Sequence, residues 1–320
     1  MEILKLNAPC KDYIWGGNRL REEYGKVSDA DKIAESWELS CHKDGQSVIA
    51  NGKDKGKTLS EYVAENKNAL GTACGRFEYF PILIKLIDAK DNLSVQVHPD
   101  NDYAMRVEGE YGKTEMWYIV DCEEGSQLIY GFDKEISREE FADRIKNNTL
   151  LEVTNNVPVH KGDVFFIESG TLHAIGKGIL IAEIQQTSDI TYRIYDFNRK
   201  DANGKTRELH TSQALDAINY EVLDDYRTKY EPLKDEPVEL VACPYFTTSV
   251  YDMSEQISCD YSELDSFVIF ICIEGSCLMT DNEGNEVRLG AGETVLLPAT
   301  TQELTIVPQE GNVKLLETYV

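Results

Sequence analysis

Residues 162–199 constrain the fold more than any other part of this 320-residue chain. They predict a short apolar strand at residues 164–167, a tight turn, a second strand that begins at His173, and a third strand over residues 178–184. Polar and ionisable residues then alternate with β-formers to the end of the segment, and an apolar core would not accommodate so many charges. The segment therefore predicts a β-barrel with a wet interior that His173 and Arg193 face.

The charge balance excludes several classes of function. Asp and Glu total 57 against 32 Lys and Arg, a formal net charge of −25, and such a field repels nucleic acid and anionic membranes. The sequence contains no run of 18 apolar residues and no secretory signal, so we expect a cytoplasmic protein without a transmembrane helix. The eight cysteines form no Cys-x-x-Cys pair and are expected to be reduced and mostly buried.

The length of the chain suggests two packed units. Residues 198–236 are charged and turn-rich, and strands resume at residue 238. We therefore expect a catalytic domain over residues 1–236 and a second β domain over residues 237–320. Capping residues and apolar spacing predict small helices at residues 58–70, 137–147 and 212–218.

Two sequence patterns occur once in each half of the chain. An apolar strand opened by Glu115 in one half and by Asp265 in the other ends on Gly-Ser after the same interval. The spacing from Gly162 to His173 is repeated between Gly292 and Glu303, with glutamate in place of the histidine. If this repetition is not a chance recurrence of strand–turn patterns, it predicts a duplicated barrel whose second copy is degenerate.

Four polar residues have the spacing of a metal site. Strand periodicity over residues 93–99 places Gln96 and His98 on one face, Glu115 opens a later strand, and His173 ends a Gly-x₇-Gly-x₂-His pattern. This is the pattern of a metal site in a cupin-type double-stranded β-helix. One amide, one carboxylate and two imidazoles suit zinc or another borderline divalent ion. Taken alone, His98 would be interpreted as a surface or loop histidine beside Pro99; its combination with Gln96, Glu115 and His173 favours the metal site.

The other three histidines carry no such pattern. His42, His160 and His210 lie in polar, turn-like surroundings. We expect all three to be solvated.

Four motifs resemble those of one enzyme family. VQVHPDN, GKTEMWYIV, GTLHAIGKG and EIQQTSDITYRIYDF are similar, in this order, to motifs of the type I mannose-6-phosphate isomerases, zinc-dependent enzymes of the cupin superfamily. The resemblance extends from Trp15 to about Arg199, with the degenerate barrel after it. Only 57 residues separate Glu115 from His173, as in the short bacterial form.

The resemblance implies a mainly β fold of two cupin (jelly-roll) barrels with a few peripheral helices. It also implies interconversion of mannose 6-phosphate and fructose 6-phosphate, a small-molecule sugar phosphate as the partner, and a monomer or homodimer. One Zn²⁺ per chain would be bound by Gln96, His98, Glu115 and His173, with Arg193 as the active-site arginine.

Aldose–ketose isomerisation passes through an enediol whose negative charge a cation can stabilise. Arg193 is the candidate for this role, unless it forms only a structural ion pair with Asp189 or Asp196. Lys85 could reach solvent along its stem or project into the cavity. The proton-abstracting base could be Glu183, Asp196 or Lys113. Candidate substrate contacts are Lys113, Lys85, Trp15, Glu183 and Asp196, and the two lysines are the candidates for binding the phosphate or tuning the base.

Two other functions are compatible with a cupin metal site. Cupin oxygenases usually hold iron with three histidines and a glutamate, so Gln96 argues against that class. A non-catalytic sugar-binding cupin would have no need of cations such as Lys113 and Arg193 in its cavity.

Overall fold

Short β-strands form most of the regular structure, and the long strands of the two large sheets are buried along most of their length. The computed structural model describes residues 1–222 and 227–320. The strands of the described part are Leu4–Asn7 (β1), Cys10–Lys11 (β2), Glu35–Leu39 (β3), Cys41–His42 (β4), Gly45–Gln46 (β5), Val48–Ile49 (β6), Ile82–Ala89 (β7), Val95–Val97 (β8), Glu115–Cys122 (β9), Gln127–Phe132 (β10), Thr154–Pro158 (β11), Val164–Ile167 (β12), His173–Ala174 (β13), Ile179–Gln186 (β14), Tyr192–Tyr195 (β15), Pro237–Ala242 (β16), Thr247–Met253 (β17), Ile257–Asp260 (β18), Val268–Glu274 (β19), Ser276–Asp281 (β20), Glu286–Gly290 (β21), Thr294–Leu297 (β22), Glu303–Pro308 (β23) and Val313–Tyr319 (β24).

The helices are fewer and short. The α-helices of the described part are Arg19–Glu22 (α1), Leu59–Glu65 (α2), Asn101–Val107 (α3), Arg138–Lys146 (α4) and Thr211–Ala217 (α5), with 3₁₀ turns at Lys67–Ala69, Ala73–Arg76 and Leu150–Val153. No helix in the described ranges is long and apolar enough to cross a membrane.

Four large antiparallel sheets form two sandwiches. In the first, a sheet of order β12-β9-β14-β7-β3-β2 and a sheet of order β11-β10-β13-β8-β15 share an apolar cluster that includes Trp117, Leu128 and Ile181. In the second, sheets of order β16-β17-β24-β19-β22-β1-β6 and β18-β23-β20-β21 share a cluster that includes Phe270 and Met279. The expected mainly β fold is confirmed, and the two sandwiches are compatible with the expected jelly-roll barrels.

Strand periodicity separates the two faces of the first large sheet. On β7, Ile84 and Leu86 belong to a core that also contains Ile271 and Leu316 of the second sandwich, whereas Lys85 lies on the opposite face. The two sandwiches therefore pack against each other through one face of each large sheet. The opposite face of the first large sheet points into the first sandwich, where it carries Lys85.

The N-terminal residues belong to the sheet of the C-terminal sandwich. β1 pairs with β22 through Leu4↔Leu296, and β6 pairs with the other edge of β1. The proposed division of the chain between residues 236 and 237 stays a prediction. Part of the predicted connection over residues 198–236, namely residues 223–226, lies outside the described residues.

The predicted helices form with shifted ends. Thr58 and Glu61 make a reciprocal capping box for α2, which ends at Glu65, earlier than predicted, because the chain turns into a 3₁₀ segment. Ser137 accepts a hydrogen bond from the backbone N–H of Glu140 at the start of α4. Sequence reasoning missed α3, although Asp100 after Pro99 is an N-cap signal that could have indicated it.

The internal repeat is real in spacing, but one of its alignments is wrong. Ile167 pairs with Glu115, and the equivalent position Leu297 pairs with Val268, not with Asp265. The interval from the acidic residue to Gly-Ser is the same in both halves, but the strand pairing differs between the halves by three residues. The position equivalent to Glu115 is thus an apolar, buried valine, in agreement with a degenerate second copy.

Candidate metal centre

Three strands and one turn bring the predicted ligand residues together. His173, the first residue of β13, pairs with Gln96 on β8, and His98 follows at the end of β8. The turn before β13 is fixed at Gly170, whose φ of 88° favours glycine and whose backbone N–H donates to the carbonyl of His98 at 2.8 Å. Glu115 enters from the opposite sheet as the first residue of β9.

The ligand atoms of this cluster are close to one another. The Nε2 atoms of His98 and His173 lie 3.1 Å apart. Glu115 Oε1 lies 3.4 Å from His173 Nε2, and Glu115 Oε2 lies 3.8 Å from His98 Nε2. The amide of Gln96 lies 3.4 Å from His173 Nε2, and rotation of that amide would present its oxygen instead. His98, Glu115 and His173 could together hold a metal ion.

The second nitrogen of each imidazole fixes the tautomer. His98 Nδ1 lies 2.8 Å from the carbonyl oxygen of Ile190, and His173 Nδ1 lies 2.8 Å from the carbonyl oxygen of Thr171. A carbonyl only accepts, so each Nδ1 must carry the proton and donate it. Each Nε2 is then unprotonated, and its lone pair points toward the other residues of the cluster, as in metal-bound histidines.

Burial keeps both imidazoles neutral. It is the main cause that lowers the pKa of His98 well below its ordinary value and the pKa of His173 to about 4. Burial also raises the pKa of Glu115 to about 7, helped by Glu183 and opposed by Lys113.

The donor set fits a divalent cation. Both oxygens of Glu115 are buried and accept no hydrogen bond from any residue that the structure describes, although Lys113 Nζ lies 3.0 Å from one of them. Two neutral nitrogens 3.1 Å apart repel each other unless a cation lies between them. Ligands about 2.0–2.1 Å from a tetrahedral zinc ion are separated by roughly 3.3 Å, close to this spacing.

A cavity of about 230 Å³ opens beside the cluster. Gln96 lies in its wall, and Trp15, buried at 4% exposure, contributes both to the wall and to the apolar cluster behind it. Seven charged side chains also line the cavity: Lys85, Lys113, Arg193, Arg207, Glu35, Glu183 and Asp189.

The two lysines lie deep in the cavity and are paired. Lys85 is 3% exposed and lies 3.6–3.7 Å from Glu35, Glu183 and Asp189, so it projects inward and does not reach solvent. Lys113 Nζ lies 3.5 Å from the same oxygen of Glu183 that Lys85 approaches. The cavity floor is therefore a compact network of alternating charges.

Glu183 is held at the centre of this network. Its Oε2 accepts a hydrogen bond of 3.0 Å from the indole N–H of Trp117. Burial by itself would raise the pKa of Glu183, but Lys113, Lys85 and the indole together lower it below the ordinary value. Glu183 is thus an ionised carboxylate at neutral pH.

Arg193 makes no ion pair within 4.0 Å among the described residues, so the alternative of a structural ion pair does not apply. One N–H donates to the carbonyl of Glu208 at 2.9 Å, and its buried Nε has no hydrogen-bond partner in the described part of the chain. Asp189 pairs with Lys85 instead, and both oxygens of Asp196 bind Arg199 and Arg207.

The prediction for the remaining histidines is partly wrong. His160 is exposed as expected. His42, however, is only 6% exposed and packs edge-on against Trp37, and His210 accepts a hydrogen bond of 3.0 Å from the backbone N–H of Arg193. Tight turns whose polar residues face inward look the same in sequence as solvated turns.

Sequence reasoning missed two charged residues of the cavity wall, Glu35 and Arg207. Glu35 could have been found, because it shares one face of an alternating strand with Trp37, whose indole N–H donates to it at 2.8 Å. Arg207 lies in the charged connection after β15, where no periodicity indicates which side chain turns toward the cavity.

Comparison with known proteins shows the family. A model of the type I phosphomannose isomerase catalytic domain matches residues 3–128, and a model of the mannose-6-phosphate isomerase cupin domain matches residues 237–320. The mannose-6-phosphate isomerase of Streptococcus mutans is 42% identical over 97% of this chain and 99% of its own length. Mannose-6-phosphate isomerase ManA of Bacillus subtilis is 40% identical over 90% of each chain.

The fold agrees with that assignment. The crystal structure of the mannose 6-phosphate isomerase from Bacillus subtilis superposes with a TM-score of 0.91 at 35% identity and covers 100% of both chains. The chain therefore belongs to the type I mannose-6-phosphate isomerase family of cupin proteins.

Proposed function

We propose that this protein interconverts mannose 6-phosphate and fructose 6-phosphate, with one zinc ion held by Gln96, His98, Glu115 and His173. The observation that carries the proposal is the cluster itself. Two neutral imidazoles 3.1 Å apart adjoin a carboxylate without hydrogen bonds, beside a cation-rich cavity of sugar size. The function of the curated relatives supports the choice of substrate.

A bound zinc ion would supply Lewis-acid polarisation to the C1 and C2 oxygens of the sugar. The residues of the chain have separate tasks around these atoms. Arg193, paired with Gln96 across β15 and β8, lines the cavity without an ion pair among the described residues, so its guanidinium is a donor that can stabilise the negative charge of an enediolate. Loss of such a donor typically costs about 10²–10³ in kcat.

Glu183 is the proposed base. Its lowered pKa keeps it ionised at neutral pH, and it lines the cavity, so it can accept the proton from C2 and return it to C1. Asp196 is a weaker candidate because both of its oxygens already accept from arginines. Lys113 bridges Glu183 and Glu115, which suits the task of holding these carboxylates in place.

A coupled assay with mannose 6-phosphate tests the proposal. Activity should be lost in the presence of a chelator and restored by zinc. Arg193→Ala should retain bound zinc and lose turnover, whereas Glu183→Gln should retain both zinc and substrate binding and lose turnover. An enzyme that is fully active after complete metal removal, or oxygen consumption without isomerisation, would contradict it.

A further inference from the structure

A sugar phosphate brings a charge of about −1.5 to −2 to the cavity of a strongly acidic protein. The phosphate must therefore bind where positively charged side chains locally outnumber carboxylates. The two deep lysines do not supply this excess, because Lys85 approaches three carboxylates and Lys113 approaches Glu115 and Glu183.

The excess lies at the cavity mouth. The Arg207 side chain is 27% exposed, compared with 3% for Lys85 and 4% for Lys113. Arg193 lines the same cavity and makes no ion pair in the described part of the chain. Repulsion from Arg207 is, after burial, the largest cause that lowers the pKa of Arg193, so the two guanidinium groups share one region of the mouth.

Arg207 is held in place from one side only. Its Nε donates to Asp196 Oδ2 at 2.8 Å and its Nη2 donates to Asp196 Oδ1 at 2.7 Å. A guanidinium has five N–H donors in a rigid fork, so the donors that Asp196 does not engage, which have no other partner in residues 1–222 and 227–320, can bind a second group. Asp196, itself 6% exposed, thus orients the guanidinium and leaves part of it for a ligand.

Arg199 provides a contrast within the same cluster. It also binds Asp196, but its other contacts are the carbonyl of Asn92 and the carboxylate of Asp91, and it is not part of the cavity wall. Its charge is therefore shared between two carboxylates.

We propose that Arg207, oriented by Asp196, binds the phosphate of the substrate at the cavity mouth and sets the preference for a phosphorylated over a free sugar. The reacting carbons then lie toward the buried imidazoles, and the phosphate stays at the partly hydrated entrance. This inference rests on the proposed function for the identity of the sugar, but the phosphate contact can be measured without turnover.

The decisive variants are Arg207→Gln and Arg199→Gln. Arg207→Gln should raise KM for mannose 6-phosphate by roughly 10- to 100-fold, the effect of losing a charge-assisted hydrogen bond, while kcat changes by less than about threefold. Titration calorimetry of the zinc-loaded protein with inorganic phosphate should show a comparable loss of affinity. Arg199→Gln should leave KM and phosphate affinity within about twofold, and Asp196→Asn should shift both in the direction of Arg207→Gln.

The outcomes separate this inference from the proposed function. If the wild-type protein does not isomerise mannose 6-phosphate, the proposed function fails, and the calorimetric comparison still decides the role of Arg207. Unchanged phosphate affinity in Arg207→Gln overturns the inference. An equal loss in Arg199→Gln overturns it as well, because the effect would then reflect the general field of the cluster. Unchanged zinc content and far-UV circular dichroism in each variant establish that the fold is intact.

Discussion

Trp117 donates its indole N–H to the carboxylate of Glu183 over 3.0 Å while its ring lies edge-on to the imidazole of His173. One buried side chain therefore contacts both the proposed base and a proposed metal ligand. The indole has no other polar group to satisfy, so its position fixes which oxygen of Glu183 remains available to the cavity.

Trp117→Phe should preserve most of the packing and remove the donor. Because a hydrogen bond to a charged group contributes about 1.5–3 kcal/mol, we expect kcat to fall by roughly 10- to 100-fold. The pKa of Glu183 should rise, which would move the acidic limb of the kcat profile to higher pH. Steady-state kinetics from about pH 3.5 to pH 9, with zinc content measured by atomic emission, check this. A fall in activity that follows zinc loss would instead assign Trp117 to the metal site.

Removal of one imidazole should remove the metal. His173→Gln and His98→Gln should each weaken zinc binding by at least 100-fold, more than the loss of an outer contact to a metal-bound residue usually costs. His160→Gln is the matched control, since that side chain is 76% exposed. Metal content after equilibrium dialysis is the measurement, and retention of one zinc equivalent in His173→Gln would refute the ligand assignment.

The sequence predicted which polar residues meet at the candidate metal centre, because two-residue periodicity is a local property; their role as ligands stays a prediction. Gln96 on β8 and His98 directly after it both approach Nε2 of His173, whereas Val95 and Val97 pack in an apolar cluster, as the alternation required. The glycine at position 170 likewise predicted the tight turn that precedes His173.

The rest depended on contacts between distant segments. Whether Lys85 points to solvent or to the cavity is decided by Glu35, 50 positions earlier in the chain, and by Glu183 on the neighbouring strand. The place of Arg207 depends on its bidentate contact with Asp196 in a segment without regular structure. The pairing of β1 with β22 joins the two ends of the chain, which no local pattern encodes.

That pairing leads to a prediction for the isolated C-terminal segment. A fragment of residues 237–320 would lack β1 and β6 and would expose Ile269 and Leu296, which are buried in the core shared by both sandwiches. We expect it to show no cooperative thermal transition by circular dichroism, and coexpression with residues 1–236 should restore one. Cooperative unfolding of the fragment alone would mean that residue 237 begins an independently folding domain.

The second sandwich retains one carboxylate at a position equivalent to the active site. Glu183 pairs with Trp117, and Glu317 pairs with Phe270, which occupies the position of Trp117 in the repeated register. Glu317 is 4% exposed and accepts hydrogen bonds from Tyr261 and Tyr251. It approaches no lysine or arginine within 4.0 Å in the described residues, unlike Glu183.

Glu317→Gln should therefore stabilise the protein increasingly as pH rises. Burial is the main cause that raises the pKa of Glu317 above the ordinary value of 4.5, and the two tyrosine donors only partly oppose it. The folded chain then holds a proton that the unfolded chain has lost, so the wild-type free energy of unfolding falls as pH rises from about 4.5 through the folded pKa. The variant lacks this loss. Its free energy of unfolding should exceed that of the wild type at high pH by about 1.4 kcal/mol for each unit between the folded and unfolded pKa values of Glu317.

Urea unfolding at pH 4, 6 and 8 measures this difference in the free energy of unfolding, with exposed Glu286→Gln as the control for general charge. Parallel pH profiles for the wild type and Glu317→Gln would show that Glu317 keeps its ordinary acidity in the folded protein.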